Sequence, residues 1–154
     1  MSKLIFSLTA VTALNLSVNI SAQAACPATA KTVFSCSTTK GKQVDICDLG
    51  SQLSYSFGKP RAKPELQFNL AKNRASLYLW DGMTSSEYNE LYLPRGNTVY
   101  QAYHANHRNH GGTEHGIKVF VNKNEVADVR CRSTSVIENL QDIELPRITG
   151  DERL

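Results

Sequence analysis

The segment Ser51-Gln52-Leu53-Ser54-Tyr55-Ser56-Phe57 decides the fold class, because its apolar and polar side chains alternate with a period of two. Leu53, Tyr55 and Phe57 would share one face of an extended chain, and the polar residues between them would share the other. This alternation predicts a β-strand with one buried face. Similar short segments recur along residues 32–131, each bounded by turn signals.

Nine segments have this strand-like composition. They are residues 32–37, 43–47, 51–57, 66–70, 75–80, 87–93, 98–104, 116–121 and 125–131. Because no sustained helical period occurs among them, we predict an all-β fold of about 8–9 strands, either a small antiparallel β-barrel or a β-sandwich. We favour the barrel, since consecutive hairpins without long crossovers are the simplest route. Gly41 supplies the residue with positive φ that the first turn needs.

The C-terminal region has a different pattern. Val136, Leu140 and Ile143 recur at three- and four-residue spacing, which predicts a short C-terminal helix or coil. We assign residues 25–146 to a single β domain and residues 147–154 to a flexible C-terminal tail.

Residues 1–24 have the pattern of a signal peptide. Lys3 precedes a mostly apolar stretch, residues 4–20, and Ala22-Gln23-Ala24 supplies a small-x-small cleavage site. We therefore expect a periplasmic or secreted protein. No later apolar run approaches the roughly 20 residues that cross a bilayer, so we expect no membrane span after cleavage. The formal net charge of +3 is too small to indicate nucleic-acid binding.

Four cysteines follow the leader, at positions 26, 36, 47 and 131, and predict structural disulfides in an oxidising compartment. No Cys-x-x-Cys pair of the redox or zinc type occurs. We favour Cys36 with Cys47, which flank the first predicted hairpin, and Cys26 with Cys131. The alternative joins Cys36 to Cys131 and Cys26 to Cys47, and spacing by itself does not choose between the two pairings.

All four histidines fall within twelve residues, at His104, His107, His110 and His115, with Glu114 among them. Neutral imidazole is a common ligand of zinc and copper, so this stretch is a candidate metal site. The other interpretation is a polar surface loop between two strands. We expect no other cofactor.

Aromatic and basic residues supply a second group of candidates. Tyr78 and Trp80 share one face of a predicted strand, and Tyr100 follows a turn that contains Arg95 and Asn97. Tyr, Trp and Arg are enriched in binding hot spots, so these five residues are candidate binding residues. The alternative is that the aromatic side chains pack within the sheets, as strand aromatics commonly do.

Catalytic motifs are absent from the sequence. It has no Gly-x-Ser-x-Gly elbow and no glycine-rich phosphate loop, and its carboxylates do not form an obvious catalytic pair. We therefore expect a protein that is not an enzyme, with a small hydrolase as an alternative.

Phe34-Ser35-Cys36, Cys47 and Tyr55-Ser56-Phe57-Gly58 together resemble a pattern of uncharacterised exported bacterial small β-barrel proteins. Residues 95–100, Arg-Gly-Asn-Thr-Val-Tyr, are loosely similar to the inhibitory loop of periplasmic inhibitors of C-type lysozyme. These resemblances imply an exported small barrel, and the second implies a protein target.

We accordingly expect a non-catalytic periplasmic or secreted binding protein. Its partner would be a protein or another cell-envelope macromolecule, on which it would act as an inhibitor or immunity-type protein. The first alternative function is metal binding by the histidine stretch from His104 to His115.

Overall fold

The protein is represented by a computed structural model, which describes residues 26–108 and 111–154. The predicted signal peptide and His110 lie outside the described residues. The strands are β1 (Lys31–Ser37), β2 (Gln43–Asp48), β3 (Gln52–Gly58), β4 (Leu66–Ala71), β5 (Ser76–Leu79), β6 (Ser86–Arg95), β7 (Thr98–His107), β8 (Gly112–Val121), β9 (Asn124–Arg130) and β10 (Ile137–Glu138). In this part of the chain, no helix is long and apolar enough to cross a membrane.

The strands form two antiparallel five-stranded sheets. The first has the order β10-β1-β2-β3-β4 and the second the order β5-β6-β7-β8-β9. The all-β prediction is confirmed, and the sandwich-like alternative describes the arrangement. The favoured barrel is wrong, because the chain leaves the first sheet after β4 through a 3₁₀ turn, Lys72–Arg74, and begins a separate sheet at β5. A bridge between Thr38 and Cys131 joins the sheets at one corner.

The hydrophobic core lies between the two sheets. The alternation in β3 is confirmed, since Leu53 and Tyr55 are buried while Gln52 is exposed. The fully buried side chains of the core include Phe34, Val44, Ile46 and Leu53 from the first sheet, and Leu77, Leu91, Leu93 and Ile117 from the second. Burial of each such large side chain stabilises the fold by about 1.5–3 kcal/mol. Gly41 has a φ of 77°, as its turn requires.

The disulfides join Cys26 to Cys47 and Cys36 to Cys131, with Cα–Cα distances of 5.6 and 5.7 Å. The prediction of two disulfides is confirmed, but the pairing that we favour is wrong. Cys36 stands opposite Val44 in the β1–β2 register, so Cys47 lies three residues further along β2. Three residues of strand span about 10 Å, whereas the Cα atoms of a disulfide lie about 4.4–6.8 Å apart.

The histidine stretch is a continuation of the hairpin. Strands β7 and β8 pair as far as His107 and Gly112, so the interpretation of residues 105–107 and 112–115 as a loop is wrong. Backbone hydrogen bonds hold a strand pair together even where the side chains are polar. Buried Ala105 adds packing in the extended part of β7.

The region after β9 differs from the prediction in its secondary structure. In place of an amphipathic helix, residues 136–145 form β10 and a 3₁₀ turn, Leu140–Asp142. Asn139 ties this region to β1, because its N–H donates to the Val33 carbonyl at 2.9 Å and its side-chain amide donates to Thr32 at 2.8 Å. Leu140 and Ile143 still reach the core, which explains their apolar spacing.

The C-terminal segment, predicted as a flexible tail, lies against β5 and β6. The N–H of Leu77 donates to the Pro146 carbonyl at 2.9 Å, and the N–H of Ile148 donates to the Leu77 carbonyl at 3.2 Å. Further along, Arg153 forms an ion pair with Glu90. Residues 147–154 are therefore attached to the second sheet at two places.

Candidate metal centre

His104 and His115 form a cross-strand pair in the β7–β8 hairpin. The Nδ1 atom of His104 lies 3.0 Å from the Nε2 atom of His115, and the two rings meet edge to face with centroids 4.8 Å apart. The register places their Cβ atoms on the same face of the sheet, which is why side chains eleven residues apart in sequence meet.

This pair lies at the end of the hydrophobic core. Ala102 and Ile117, two residues further along the same strands and on the same face, are core residues. Asn89 stands next to His104 on β6, so a polar row crosses three neighbouring strands. The imidazoles therefore face the space between the two sheets.

Glu138 reaches the histidines from the first sheet. It lies on β10 opposite Phe34, and its Oε2 atom is 3.7 Å from Nδ1 of His104. Its other oxygen, Oε1, accepts a hydrogen bond of 2.9 Å from the N–H of Leu140, a residue buried in the core. One carboxylate oxygen is thus fixed by the backbone, which leaves Oε2 directed at the imidazole pair.

The three side chains have the donor set and spacing of a metal site. One donor atom from each of His104, His115 and Glu138 lies within 4.8 Å of one donor atom from each of the others. In a tetrahedral zinc site with bonds of about 2.0–2.1 Å, neighbouring ligand atoms are about 3.3–3.4 Å apart. Two of the three separations, 3.0 and 3.7 Å, bracket this value, and the third lies within 4.8 Å, so the side chains would move closer together to surround one ion.

Burial and charge favour the ligand form of His115. Desolvation by burial, and the neighbouring His104, lower its pKa below the usual value of 6.5. The ring is therefore neutral at pH 7, as a metal ligand must be. The side chains of His104 and Glu138 keep 16% and 17% of their surface exposed, so solvent reaches the site.

Two buried nitrogen atoms around the site, Nδ1 of His115 and Nδ2 of Asn89, have no hydrogen-bond partner among residues 26–108 and 111–154. A metal-binding histidine normally donates its second ring N–H to an oxygen, and loss of such a contact weakens metal affinity about 10–100-fold. His115 has no such contact in the structure. The expected affinity is therefore moderate.

The structure describes three of the four predicted histidine ligands and separates His107 from the other two. His107 lies on the opposite face of β7, where its Nδ1 atom is 3.3 Å from the Ser86 hydroxyl oxygen and its ring meets Tyr88 edge-on at 5.8 Å. His104 and His115 remain as the pair that meets. Glu138 was missed because its approach depends on the packing of β10, and no spacing in the sequence signals it.

The predicted binding residues lie in separate places. Tyr100 packs against Tyr55 and Phe68, with ring centroids 5.2 and 5.4 Å away, and Arg95 covers the same Phe68 ring at 5.4 Å. Asn97, in the β6–β7 turn, donates to the side chain of Asn122 at 3.5 Å. Tyr100 is therefore a packing residue at the opening between the sheets.

Tyr78 and Trp80 lie on the outer face of the second sheet, and an arginine covers each ring. The guanidinium carbon of Arg153 is 4.7 Å from the Tyr78 centroid, and that of Arg108 is 4.3 Å from the Trp80 centroid. The indole N–H of Trp80 donates to the Thr84 hydroxyl at 3.0 Å. Partner binding by the predicted residues remains a prediction.

Comparisons of the chain with protein-family models, with curated proteins and with solved structures find no match. The resemblance to exported small barrels and lysozyme inhibitors stays a prediction.

Proposed function

We propose that the protein binds one transition-metal ion, zinc or copper(II), through His104, His115 and Glu138. The observation that carries this proposal is the convergence of two imidazole nitrogens, 3.0 Å apart, with a carboxylate oxygen 3.7 Å from one of them. The three side chains come from both sheets, so a bound ion would hold the sheets together at this end of the core.

A hydrogen bond between the two imidazoles is the simplest competing explanation. Such a bond uses one N–H and one lone pair, and it leaves the Glu138 oxygen at 3.7 Å, beyond hydrogen-bond range. Nδ1 of His115 lies on the other side of the ring and has no part in either explanation. An ion between the three side chains would engage all three donor atoms, which favours the metal-binding explanation.

The donor set favours zinc and copper(II) over calcium or magnesium. Imidazole suits zinc, copper and nickel, whereas calcium and magnesium prefer sites made of oxygen atoms. Copper(II) binds more tightly than zinc to most sites of this kind. Three protein ligands would leave a fourth tetrahedral position for water or for a donor from another molecule.

The proposed role is non-catalytic metal binding in an exported protein. Two disulfides fit an oxidising compartment. The signal-peptide pattern of residues 1–24 also supports export. The sequence offers no nucleophile motif that would turn the site into a hydrolase.

Titration calorimetry of untagged, chelator-treated protein with zinc sulfate and copper sulfate tests the proposal. We expect about one ion per chain and a Kd tighter than about 10 μM, which corresponds to about 7 kcal/mol. His104→Ala and His115→Ala should each weaken binding at least about tenfold, since each removes a ligand. His107→Ala, from the same hairpin but the opposite face, is the matched control and should not change the Kd. Absent binding, or an equal loss in the His107 variant, would overturn the proposal.

A further inference from the structure

A second site lies on the outer face of the second sheet, away from the metal centre. Strands β6 to β9 form a groove of about 390 Å³ there, and the end of the chain enters it. Within residues 150–154, Arg153 is partly buried, and the other four residues are exposed.

Arg153 is held as a ligand side chain is held in a binding pocket. Its Nε atom donates to Oε2 of Glu90 at 2.7 Å, and its Nη2 atom donates to Oε1 of the same carboxylate at 2.5 Å. The guanidinium also lies over the rings of Tyr78 and Tyr88, 4.7 and 4.8 Å from their centroids. A two-point carboxylate contact between aromatic rings matches the planar guanidinium and does not match an ammonium group.

Residues of the sheet also orient the carboxylate that receives Arg153. With Arg153 in place, Glu90 is only 5% exposed. Its Oε2 atom also accepts a hydrogen bond from the Tyr92 hydroxyl, which in turn accepts one of 3.0 Å from the side-chain amide of Gln101. A nearly buried carboxylate that is oriented in this way requires a cation beside it.

The other carboxylates of the groove have cationic partners within the sheet. Arg130 pairs with Glu114 at 2.8 Å and with Asp128 at 3.2 Å, and Lys118 pairs with Glu125 at 2.9 Å. For Glu90, the ion pair that the described residues supply is the one with Arg153. If Arg153 left, the groove would present one unsatisfied site, and that site would select a guanidinium.

We propose that this groove binds an arginine side chain of a partner polypeptide, and that residues 150–154 of the same chain occupy the site by means of Arg153. Of residues 150–154, Arg153 and Leu154 line the groove, and Arg153 makes the ion pair with Glu90, so an external arginine segment can compete for this contact. Because the attached segment competes at an effective concentration on the order of millimolar, release of Arg153 raises the affinity for the partner.

A peptide titration tests this proposal without any metal. The probe is a fluorescent peptide with the sequence of residues 149–154, Thr-Gly-Asp-Glu-Arg-Leu, and the matched probe has alanine in place of arginine. Arg153→Ala protein should bind the arginine peptide at least about tenfold more tightly than the wild type does, because the attached competitor is gone. The additional change Glu90→Gln should abolish this gain.

Equal binding of the two peptides to Arg153→Ala protein, or no binding of either, would overturn the proposal. Circular dichroism should confirm that the variant keeps its fold. If it does not, Arg153→Lys protein, which keeps a cation beside Glu90, takes its place: tighter binding of the arginine peptide than to the wild type supports the site, and identical or absent binding of both peptides contradicts it.

Discussion

The backbone N–H of Cys131 donates a hydrogen bond of 2.9 Å to the carbonyl of His115, so the disulfide to Cys36 lies beside one of the proposed metal ligands. Cys36 belongs to β1, the strand that pairs with β10 and Glu138. The disulfide therefore ties β1, the neighbour of the strand that bears Glu138, to Cys131, whose N–H is hydrogen-bonded to the strand that bears His115.

Removing this disulfide should weaken both stability and metal binding. In the chain-entropy model, a bridge that closes 95 residues stabilises the fold by about 5 kcal/mol, and one that closes 21 residues by about 3 kcal/mol. We expect Cys36→Ser with Cys131→Ser to raise the metal Kd at least about tenfold, because the two sheets are no longer tied at the site.

The second disulfide provides the matched control. Cys26→Ser with Cys47→Ser should lower the unfolding temperature and leave the metal Kd unchanged, since this bridge joins β2 to the segment before β1 and does not tie the two sheets together. Thermal unfolding and titration calorimetry on the same samples measure both quantities. Equal metal affinities in the two double variants would show that the Cys36–Cys131 bridge does not organise the site.

Glu138→Gln should weaken metal binding without destabilising the fold. The glutamine carbonyl oxygen can still accept the hydrogen bond from the Leu140 N–H, but the anionic donor next to His104 is lost. We expect metal binding to weaken about 10–100-fold with little change in unfolding temperature. Glu144→Gln, an exposed position in the same region, is the control and should bind as the wild type does. Unchanged binding in Glu138→Gln would remove this carboxylate from the site.

Tyr100→Ala should destabilise the fold. The Tyr100 ring is half-buried and packs on Tyr55 and Phe68. Truncating it should lower the free energy of unfolding by about 2–4 kcal/mol, as measured by urea denaturation. Arg95→Ala removes a cation from the same Phe68 ring and should cost about 0.5–1 kcal/mol. If Tyr100→Ala lowered the free energy of unfolding by less than Arg95→Ala does, the packing role of Tyr100 would be contradicted.

Asp45→Asn should stabilise the protein at neutral pH. Burial raises the pKa of the Asp45 carboxyl, although hydrogen bonds from the side chains of Gln43 and Ser35 at 2.9 and 2.8 Å oppose this shift. Because the folded state binds the proton more readily than the unfolded state, the wild type loses stability as the pH rises from the ordinary pKa of 3.8 through the raised value. The neutral amide avoids that loss and keeps an oxygen acceptor.

Urea denaturation at several pH values tests the Asp45 prediction. The advantage of Asp45→Asn should be present at pH 7 and vanish below about pH 3.8. Asp142→Asn, at an exposed position, should show no such pH-dependent advantage. A variant that is less stable than the wild type at pH 7 would show that Asp45 contributes more as a charged acceptor than its burial costs.

The strands are the part of this protein that sequence patterns predict well. Alternation such as that of residues 51–57 reflects burial of one face, which local sequence records directly. Disulfide pairing depends on strand register, and the irregularity between Thr32 and Phe34 in β1 shifts that register. Residues 105–107 and 112–115 give no alternating strand pattern, and yet they pair through backbone hydrogen bonds.

The sequence predicted part of each candidate site, because local spacing does not record contacts between distant segments. The four histidines are close together in the sequence, and this spacing predicted a metal site. Cross-strand pairing in the hairpin brings His104 and His115 into contact. Glu138 and Arg153 reach their sites through tertiary packing of the C-terminal region. Each is one polar residue among many in that region, and nothing in its neighbours distinguishes it.

The metal content of untagged protein shows directly whether His104, His115 and Glu138 bind an ion. Wild type and the double variant His104→Ala, His115→Ala are incubated with zinc or copper, separated from free ion by gel filtration, and analysed by mass spectrometry of the elements. We predict about one ion per wild-type chain, held by the three ligands, and almost none in the double variant. Equal metal content in the two proteins, or none in the wild type, would contradict a metal centre at His104, His115 and Glu138.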